Sequence, residues 1–528
     1  MEKEAGVALK LLRILGLAVC VAALSAEATS PASAGPFDPG KAAVLRPSPG
    51  KPVKSVYDNA YRNMFEYVVV GQGWTEWKDG DKDARACLAD MVEYGRVREI
   101  RTFVELPSSL DEHARETLFG DLLKLGVAGV CSSSAVDDKA AANSGLLFVP
   151  GGMPDEPFLA FKAAGANGRA RELARCISQS RLVTVLADEP RTYFDSPAAD
   201  FIRRLPVKFD ETKKLDVSLD GKSQVGKMQT LIRRAGAEWY VAVTNAGPAT
   251  SVTLDLSCIP SGRKRLTAFV DVDGKDGLKR IDEFLGADER RIKVDLIANG
   301  GYVARIEPPV MLFLAGDSTL SPRRFWRVNG SWGEALRSYL SPDVTLVNRA
   351  VGGRSTRSYR THWDHDIMPN LREGDWVLIE FGPNDAVKHD PNRYSDVPQY
   401  KENLRRYIAE VRSKGGKPLL VSSLTSRRYN ANGVWDPKAG LQSYADGMAA
   451  VALELDVPFI PMLEPTGKAV EAAGAEGSKR LFVFFSNGKD NVHPSKEGAK
   501  VFAQVFLDEL KKRPGHRASA LFKPEALK

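Results

Sequence analysis

The sequence predicts a multidomain protein that combines a partial β/α barrel, an antiparallel β-sandwich and a three-layer α/β/α domain. Three observations support this. Strand-like and helix-like stretches alternate over residues 55–206, which is typical of βα units around a parallel sheet. Short alternating strands fill residues 207–308, as in a sandwich. Strand-like and helix-like stretches alternate again over residues 309–512, which predicts a parallel sheet of about five strands.

Residues 1–34 have the pattern of a secretory signal peptide. Basic residues precede an apolar run at residues 14–24, and small residues that suit cleavage follow at 26–28 and 32–34. The apolar run is too short to span a bilayer. We therefore expect a secreted or periplasmic protein without stable membrane insertion after cleavage; a single-pass anchor is the alternative.

The barrel-like segment follows a proline-rich stretch. Residues 35–54 contain five prolines and predict a linker. Beyond it, FEYVVVGQGW, EIRTFVEL, VAGVCSSS and LVTVLADEP are predicted strands, with helix-like stretches between them. These βα units are too few to close an eight-stranded barrel.

Cysteine content and net charge limit the kinds of site and partner that the chain can have. Outside the signal the chain has Cys87, Cys131, Cys176 and Cys258, which permit up to two disulfides without requiring any and lack zinc-site spacing. The formal charge of +7 is small for 528 residues and is spread along the chain. This argues against a nucleic-acid partner, and an anionic substrate would not be repelled.

The predicted sandwich is connected to the last domain without a long linker. Its strands include QTLIRRAG, EWYVAVTNA, KRLTAFVDV and GYVARIE, and Glu307-Pro308-Pro309 leads directly into the next strand. Trp239 is predicted to lie in the core, with sugar contact as the alternative.

The last domain begins with a candidate nucleophile. The apolar run VMLFLAGDST at residues 310–319 stops at Ser318, as a buried parallel strand does when it delivers a serine to the sheet edge. A serine hydroxyl needs an imidazole to take its proton and a carboxylate to orient that imidazole. Asp490 and His493 supply both groups within four residues.

Two more blocks follow predicted strands. NRAVGGRS comes after VTLVN, and FGPND comes after WVLIE. In an open α/β sheet the loops after the strands converge on a ligand. We expect these two blocks to lie near Ser318 in this way.

These four blocks, in this order, resemble the SGNH (GDSL-like) hydrolases, and within them the rhamnogalacturonan acetylesterases, over residues 310–511. The resemblance implies a Ser-His-Asp triad of Ser318, His493 and Asp490. It also implies an oxyanion hole formed by the Ser318 N–H, the Gly353 N–H and the Asn384 side chain. No metal or organic cofactor is implied.

One residue departs from that family pattern. Pro383 stands where the family often has histidine. This affects a contact beside the triad and leaves the triad itself in place.

A second resemblance covers the preceding domains. FEYVVVGQGW, GVAGVCSSS and LADEP are similar to the barrel of glycoside hydrolase family 97, shortened, and KFDETKKLD, EWYVAVTN and GGYVARI to its C-terminal sandwich. Val130-Cys131-Ser132-Ser133 has no carboxylate where retaining members carry the nucleophile, and Gly71-Gln72 replaces expected acidic residues. A glycosidase needs two carboxylates. We expect an inactive barrel remnant, with sugar binding left open and Asp137 and Asp138 as solvated loop residues.

Together these patterns predict a carbohydrate esterase that removes acetyl groups from a pectic, rhamnogalacturonan-like polysaccharide. Arg354 and Arg357 are candidate contacts for uronic acid carboxylates, because arginine matches carboxylate geometry with two donors; a solvent-facing pair is the alternative. His362, His365 and His389 are expected at the surface or at substrate. Other readings are an esterase for another acyl group or glycan, a carbohydrate-binding protein with a vestigial site, and a residual glycosidase. Residues 513–528 are expected to form a loosely held tail.

Overall fold

The computed structural model describes most of the chain beyond residue 39. These residues are 40–45, 67–71, 81–97, 100–106, 111–132, 146–150, 161–179, 183–186, 192–193, 195–206, 208–215, 217–219, 228–274, 277–322, 329–430, 432–436 and 440–528, with single positions at 54, 57, 74, 75, 141 and 159. The predicted signal peptide, Gln72, Asp137 and Asp138 lie outside them. The chain divides into two compact units, Met1–Phe158 with Leu182–Pro190, and Leu159–Arg181 with Arg191–Lys528.

The first unit contains a parallel sheet of six strands. The strands are β1 (Gly40–Leu45), β2 (Tyr67–Val70), β3 (Arg101–Glu105), β4 (Gly129–Ser132), β5 (Leu147–Pro150) and β6 (Val183–Leu186). Two helices, α1 (Ala84–Val97) and α2 (Glu112–Lys124), connect the middle strands. The order β5-β4-β3-β2-β1-β6 places β1 to β5 side by side in sequence order and the last strand, β6, next to β1, which is the winding of a β/α barrel. The predicted partial barrel is confirmed.

Strand β1 corrects the predicted linker at residues 35–54. It pairs in parallel with β2 on one side, from Ala42 opposite Tyr67 to Leu45 opposite Val70, and with β6 on the other. The prolines of this stretch flank residues 40–45 and do not interrupt them, so every residue of the strand keeps its N–H for the sheet. Proline content alone was therefore a misleading signal.

The second unit begins with three helices, α3 (Phe161–Ala164), α4 (Arg169–Ser178) and α5 (Ala199–Arg204). Of these, α4 and α5 pack on the sandwich. The carboxylate of Asp271, on a sandwich strand, accepts hydrogen bonds from Ala170 N at 2.7 Å and Arg171 N at 2.9 Å. It thus satisfies two N–H groups that the start of α4 leaves without partners in the helix. This contact places residues 159–181 with the sandwich, which corrects the predicted boundary at residue 206.

The sandwich consists of two antiparallel sheets. Its strands are β7 (Glu211–Lys214), β8 (Val217–Leu219), β9 (Met228–Ala235), β10 (Glu238–Asn245), β11 (Thr250–Asp255), β12 (Lys264–Asp271), β13 (Leu278–Leu285), β14 (Arg291–Leu296) and β15 (Gly301–Glu307). The orders are β13-β12-β15-β10-β9-β7 and β14-β11-β8. Trp239 is 6% exposed and belongs to the core between them, as the sequence predicted.

The last domain is built on a five-stranded parallel sheet. Its strands are β16 (Val310–Gly316), β17 (Val344–Asn348), β18 (Trp376–Glu380), β19 (Lys417–Val421) and β20 (Phe459–Ile460), in the order β17-β16-β18-β19-β20. Its helices are α6 (Trp332–Ala335), α7 (Arg360–His362), α8 (Val397–Ser413), α9 (Gln442–Glu454), α10 (Leu463–Ala472), α11 (Gly474–Gly477), α12 (Phe484–Asn487) and α13 (Lys496–Lys511).

Alternate residues of these strands supply two separate cores. Leu312 and Leu314 face one side with α6 and α13, while Met311 and Phe313 face the other side with α8 and α9. Successive side chains of a strand point to opposite faces, so a strand that is apolar throughout requires helices on both. The predicted three-layer α/β/α domain is confirmed.

The C-terminal residues correct the predicted tail at residues 513–528. Ala518, Leu521 and Phe522 are buried in the core beside α13, within and directly after a short 3₁₀ turn, Arg517–Leu521. The Phe522 backbone also bridges to Leu340. Three apolar side chains within five residues were enough to hold a segment that carries no long periodic pattern.

The first turn of α13 packs directly on backbone, and this generates a stability prediction. A Cβ added at Gly498 would lie 1.8 Å from the Leu481 carbonyl oxygen. We expect Gly498→Ala to lower the free energy of unfolding by about 1–3 kcal/mol, because backbone cannot yield as a flexible side chain can. Gly467→Ala on α10 is the matched control; its nearest contact is 3.8 Å, and we expect it to be neutral or stabilising. Equal denaturant midpoints for the two variants would contradict the prediction.

Candidate active site

Ser318 lies in a tight turn at the carboxyl end of β16. The turn is closed by Ser321 N, which donates to Asp317 O at 2.9 Å, and Ser318 is half-buried. Strand β16 has β17 on one side and β18 on the other, so the chain reverses direction across the sheet at this strand. Crevices at such a switch point are where α/β sheets bind ligands.

Asp490 and His493 lie in the loop before α13. Asp490 Oδ1 accepts from Val492 N and His493 N, each at 3.0 Å, and Asp490 Oδ2 is 2.8 Å from His493 Nδ1. The His493 carbonyl in turn accepts from Val483 N at 2.9 Å. Hydrogen bonds to the His493 backbone and the contact of its ring with Asp490 therefore fix the imidazole together, and Asp490 and His493 lie within a segment of only four residues.

The imidazole completes the arrangement by reaching the serine. His493 Nε2 lies 2.9 Å from Ser318 Oγ, although 175 residues separate the two in sequence. Burial alone would raise the pKa of Asp490, but hydrogen bonds from the His493 ring and from backbone N–H groups lower the pKa to about 2. Asp490 is thus ionised at neutral pH and able to hold the ring with Nδ1 protonated and Nε2 facing the serine.

Asn384 lies beside the Ser318 turn, and both the nitrogen and the oxygen of its side-chain amide are hydrogen-bonded. Its Nδ2 donates to Asp317 Oδ2 at 3.0 Å, and its Oδ1 accepts from Arg393 Nη1 at 3.2 Å. An amide nitrogen carries two protons, so the second remains available for an oxygen at the site. The contact from Arg393 also fixes which end of the amide is the donor.

Gly353 lies in the loop after β17. This loop is tied to the serine strand because Val351 N donates to Gly316 O at 3.0 Å. Gly353 has φ of +74°, and a Cβ there would meet nothing within 4 Å. The position therefore favours glycine because of its left-handed backbone and not because of crowding.

Comparison with known proteins places this geometry in a family. Residues 314–501 match the family model for the GDSL-like lipase/acylhydrolase family. A rhamnogalacturonan acetylesterase of Bacillus subtilis, RhgT, is 36% identical over 215 residues, which are 38% of this chain and 90% of that protein. The chain belongs to the GDSL-like lipase/acylhydrolase family. It is accordingly a serine hydrolase of carboxylic esters, as the sequence predicted.

Other matches extend this picture. A rhamnogalacturonan acetylesterase of Emericella nidulans is 30% identical over 225 residues, 37% of this chain and 82% of that protein. Residues 208–307 match the C-terminal, oligomerisation domain of glycosyl hydrolase family 97. A glycoside hydrolase family 97 enzyme from Pseudoalteromonas sp. strain K8 aligns at a TM-score of 0.41 and 15% identity, over 51% of this chain and 60% of that one. The resemblance to the GDSL-like hydrolases and that of the sandwich to the C-terminal domain of family 97 are confirmed.

Beneath the GDSL-like serine lies a pair of buried carboxylates that the sequence reasoning missed. The Thr319 hydroxyl is 3.1 Å from Asp317 Oδ1 and 3.0 Å from each Glu380 carboxylate oxygen. Burial, and then the nearby charge of Asp317, raise the pKa of Glu380 well above its usual range. The Thr319 hydroxyl donates to these carboxylate oxygens and so lies between Glu380 and Asp317. Asp317 stays available to accept from Asn384.

The signal for this pair was present in the sequence. Asp317 is part of the motif that contains Ser318, and Glu380 is an acidic residue at the end of an otherwise apolar strand. Burying a charged residue in such a run is costly unless the residue pairs with an opposite charge or is neutralised by a proton. Arg393 gave no such signal, since it lies in a polar loop.

The remaining predicted site residues are placed as follows. Arg354 is half-buried, and within the described residues its Nε makes no hydrogen bond. Arg357 and His389 are exposed, and His362 Nδ1 lies 3.4 Å from Asp366 Oδ2. His365 is exposed as well. In the part of the chain that the structure describes, no group of three His, Cys, Asp or Glu side chains could hold a metal ion, and no helix is long and apolar enough to cross a membrane.

The four cysteines precede the GDSL-like domain in sequence. Cys87, Cys131 and Cys176 are buried, and Cys258 is half-buried at the sandwich. Burial, with a contribution from the Glu105 charge, raises the pKa of the Cys131 thiol to about 12. The thiol at the end of β4 is therefore protonated at neutral pH and a poor nucleophile.

The carboxyl of Asp385, next to Asn384, generates a pH prediction. Burial raises the pKa of Asp385 to about 7, although hydrogen bonds from Thr356 oppose the shift. The folded state then binds more protons than the unfolded state between about pH 4 and 7. The free energy of unfolding contributed by this group therefore falls as the pH rises through that window, by up to about 1.4 kcal/mol per pH unit. The difference in free energy of unfolding between the native chain and Asp385→Asn should follow this slope and flatten above pH 7. A difference that does not vary with pH would refute it.

Proposed function

We propose that this esterase removes acetyl groups from hydroxyls of a pectic, rhamnogalacturonan-like polysaccharide. The observation that carries the chemistry is the chain of hydrogen bonds from Asp490 through His493 to Ser318, at 2.8 and 2.9 Å. The substrate class rests on the relatives from Bacillus subtilis and Emericella nidulans, both rhamnogalacturonan acetylesterases. The acetylated polysaccharide is the one partner that the mechanism requires.

In the proposed mechanism the Ser318 hydroxyl attacks the acetyl carbonyl carbon. His493 Nε2 takes the serine proton and then gives it to the departing sugar oxygen, while Asp490 stabilises the imidazolium. The product of this half-reaction is an acetyl-serine ester and a deacetylated sugar. Water, deprotonated by the same imidazole, then attacks the ester carbonyl, and acetate leaves as the serine recovers its proton.

The negative charge of each tetrahedral intermediate needs donors beside Ser318. We assign this role to the N–H groups of Ser318 and Gly353 and to Asn384 Nδ2. Asn384 is suited to it because Asp317 and Arg393 already fix its amide, so little reorganisation is needed as charge develops. Loss of one such donor typically lowers the rate by about 100- to 1000-fold.

Recognition of a uronic acid polymer calls for cations near this loop. Arg354 follows Gly353 directly, and Arg357 lies three residues further on and is exposed. Arg354 is half-buried, with its Nε buried. A guanidinium can bind a uronate carboxylate through two parallel hydrogen bonds.

We further propose that the protein is exported, with residues 1–34 removed as a signal peptide. The support is the basic start, the apolar run and the small residues near position 34. We expect cell fractionation to recover the chain from the periplasm or medium with an N-terminus between residues 27 and 36. A cytoplasmic chain that begins at Met1 would contradict this proposal.

The catalytic proposal predicts that Ser318→Ala abolishes hydrolysis. We expect the rate on p-nitrophenyl acetate to fall by about 10⁴-fold or more, because the nucleophile is lost while the fold is retained. Acetate release from acetylated rhamnogalacturonan should fall in parallel. Ser338→Ala, an exposed serine in the same domain, is the matched control and should retain full activity.

Different outcomes would point to different readings. Faster release from acetylated xylan than from acetylated rhamnogalacturonan would keep the mechanism and replace the substrate. Equal rates for the native chain and Ser318→Ala would overturn the assignment of the nucleophile. No hydrolysis by the native chain on any of these esters, with retained binding to the polysaccharide, would favour a carbohydrate-binding protein with a vestigial site.

A further inference from the structure

The loop that carries Gly353 is tied down at its start through Arg349. Arg349 N donates to Leu314 O at 2.9 Å, and the Arg349 carbonyl accepts from the Tyr359 hydroxyl at 2.7 Å. These contacts hold the backbone of the loop on β16, four residues before Gly353. They leave the long side chain of Arg349 to be accommodated elsewhere.

The Arg349 side chain extends out of the esterase domain to helix α5. The Arg349 guanidinium, 7% exposed, donates to the carboxylate of Asp200 on helix α5. Burial lowers the pKa of Arg349, and the negative charge of Asp200 opposes that effect. A buried guanidinium without a carboxylate would be strongly disfavoured, so Asp200, together with the nearby charge of Asp366, compensates Arg349 in this position.

Asp200 is in turn held from the sandwich side. Its second oxygen accepts from Arg305 Nη2 at 3.2 Å, and Arg305 Nε donates to Glu307 Oε1 at 3.1 Å. Arg305 and Glu307 lie on β15, the last strand of the sandwich. The carboxylate that meets the loop is therefore fixed by the sandwich and not by solvent.

Helix α5 has a second, reciprocal contact with the esterase domain. Arg203, one turn after Asp200, donates to Asp366 Oδ1 at 2.9 Å, and both side chains are buried. Residues three apart lie on the same face of a helix. One face of α5 thus presents an anion to Arg349 and a cation to Asp366, which fixes the helix in one position and orientation.

We infer that Asp200, a residue outside the esterase domain, is a positioning residue of the active site that acts through Arg349 on the Gly353 loop. The inference rests on the proposed oxyanion role of Gly353. The esterase RhgT aligns over 90% of its length with only 38% of this chain, so the helix and the sandwich are additions to what it shares with that relative. In this protein the added domain contributes to the geometry of the esterase site.

The test compares Asp200→Asn with Asp282→Asn in the full-length chain. Asp282, on sandwich strand β13, pairs with Arg372 of the esterase domain, so its loss breaks another ion pair between the sandwich and the esterase domain, a more exposed one, without touching the Gly353 loop. For Asp200→Asn on p-nitrophenyl acetate we expect kcat to fall by about 10- to 100-fold with KM within about twofold, because a displaced donor weakens only the transition state. Asp282→Asn should retain the native kcat and KM.

A tetrahedral mimic separates positioning from general loosening. Phenylboronic acid forms a tetrahedral adduct with an active-site serine and needs the same oxyanion donors. Its inhibition constant should rise in Asp200→Asn by about the factor by which kcat falls. Asp200→Glu, which retains the carboxylate, should restore most of both losses.

Should Asp200→Asn fail to fold, Arg349→Lys provides the second measurement. It keeps a cation for Asp200 but loses the planar guanidinium, and we expect the same fall in kcat at unchanged KM. Native kcat in either folded variant, or a loss no greater than that of Asp282→Asn, would overturn the inference. If the native chain is active and Ser318→Ala is not, such a result would refute this inference alone and leave the proposed function intact.

Discussion

The central place of β16 in the esterase sheet is the constraint on which the rest of this site depends. Because β17 and β18 flank it in parallel, their carboxyl ends bring the Gly353 loop and Asn384 to the edge where Ser318 emerges. The loop before α13 then delivers His493 to the same edge. No single one of these segments forms a site. The sheet order brings the loops after β16, β17 and β18 to one edge, and the loop before α13 brings His493 there.

Buried charged residues are the second organising feature, because they fix the orientation of the groups that they contact. Below the serine, Glu380, Thr319 and Asp317 form a hydrogen-bonded series that ends on Asn384. At the sandwich boundary, Arg265 pairs with Asp375, which also accepts from Met311 N at the start of β16. Buried ion pairs contribute little net stability compared with apolar packing, because removing both charges from water is costly. They do fix orientation, since each group has only one arrangement in which its charge is compensated.

The strands of the first unit are wound in the order of a β/α barrel. Its strands follow one another across the sheet, yet β4 ends in Cys131 and Ser132 where a carboxylate would be needed. The protonated thiol of Cys131 cannot replace one. By contrast, the esterase domain brings Asp490, His493 and Ser318 into one hydrogen-bonded series.

The sequence by itself determined the local units of this protein. Apolar runs of fixed period specified the strands β16 to β19, the alternating strands of the sandwich and the helix α13, and short motifs marked Ser318, Asn384, Asp490 and His493. These features depend on neighbours in the chain, which a sequence displays directly. The strand Gly40–Leu45 and the packed C-terminal residues were not apparent, because each is held by pairing or burial against distant residues. The contact of Asp200 with Arg349 joins residues 149 apart, and no local pattern encodes it. Tertiary structure alone decided it, since a buried charge is compensated by whichever partner the fold brings within reach.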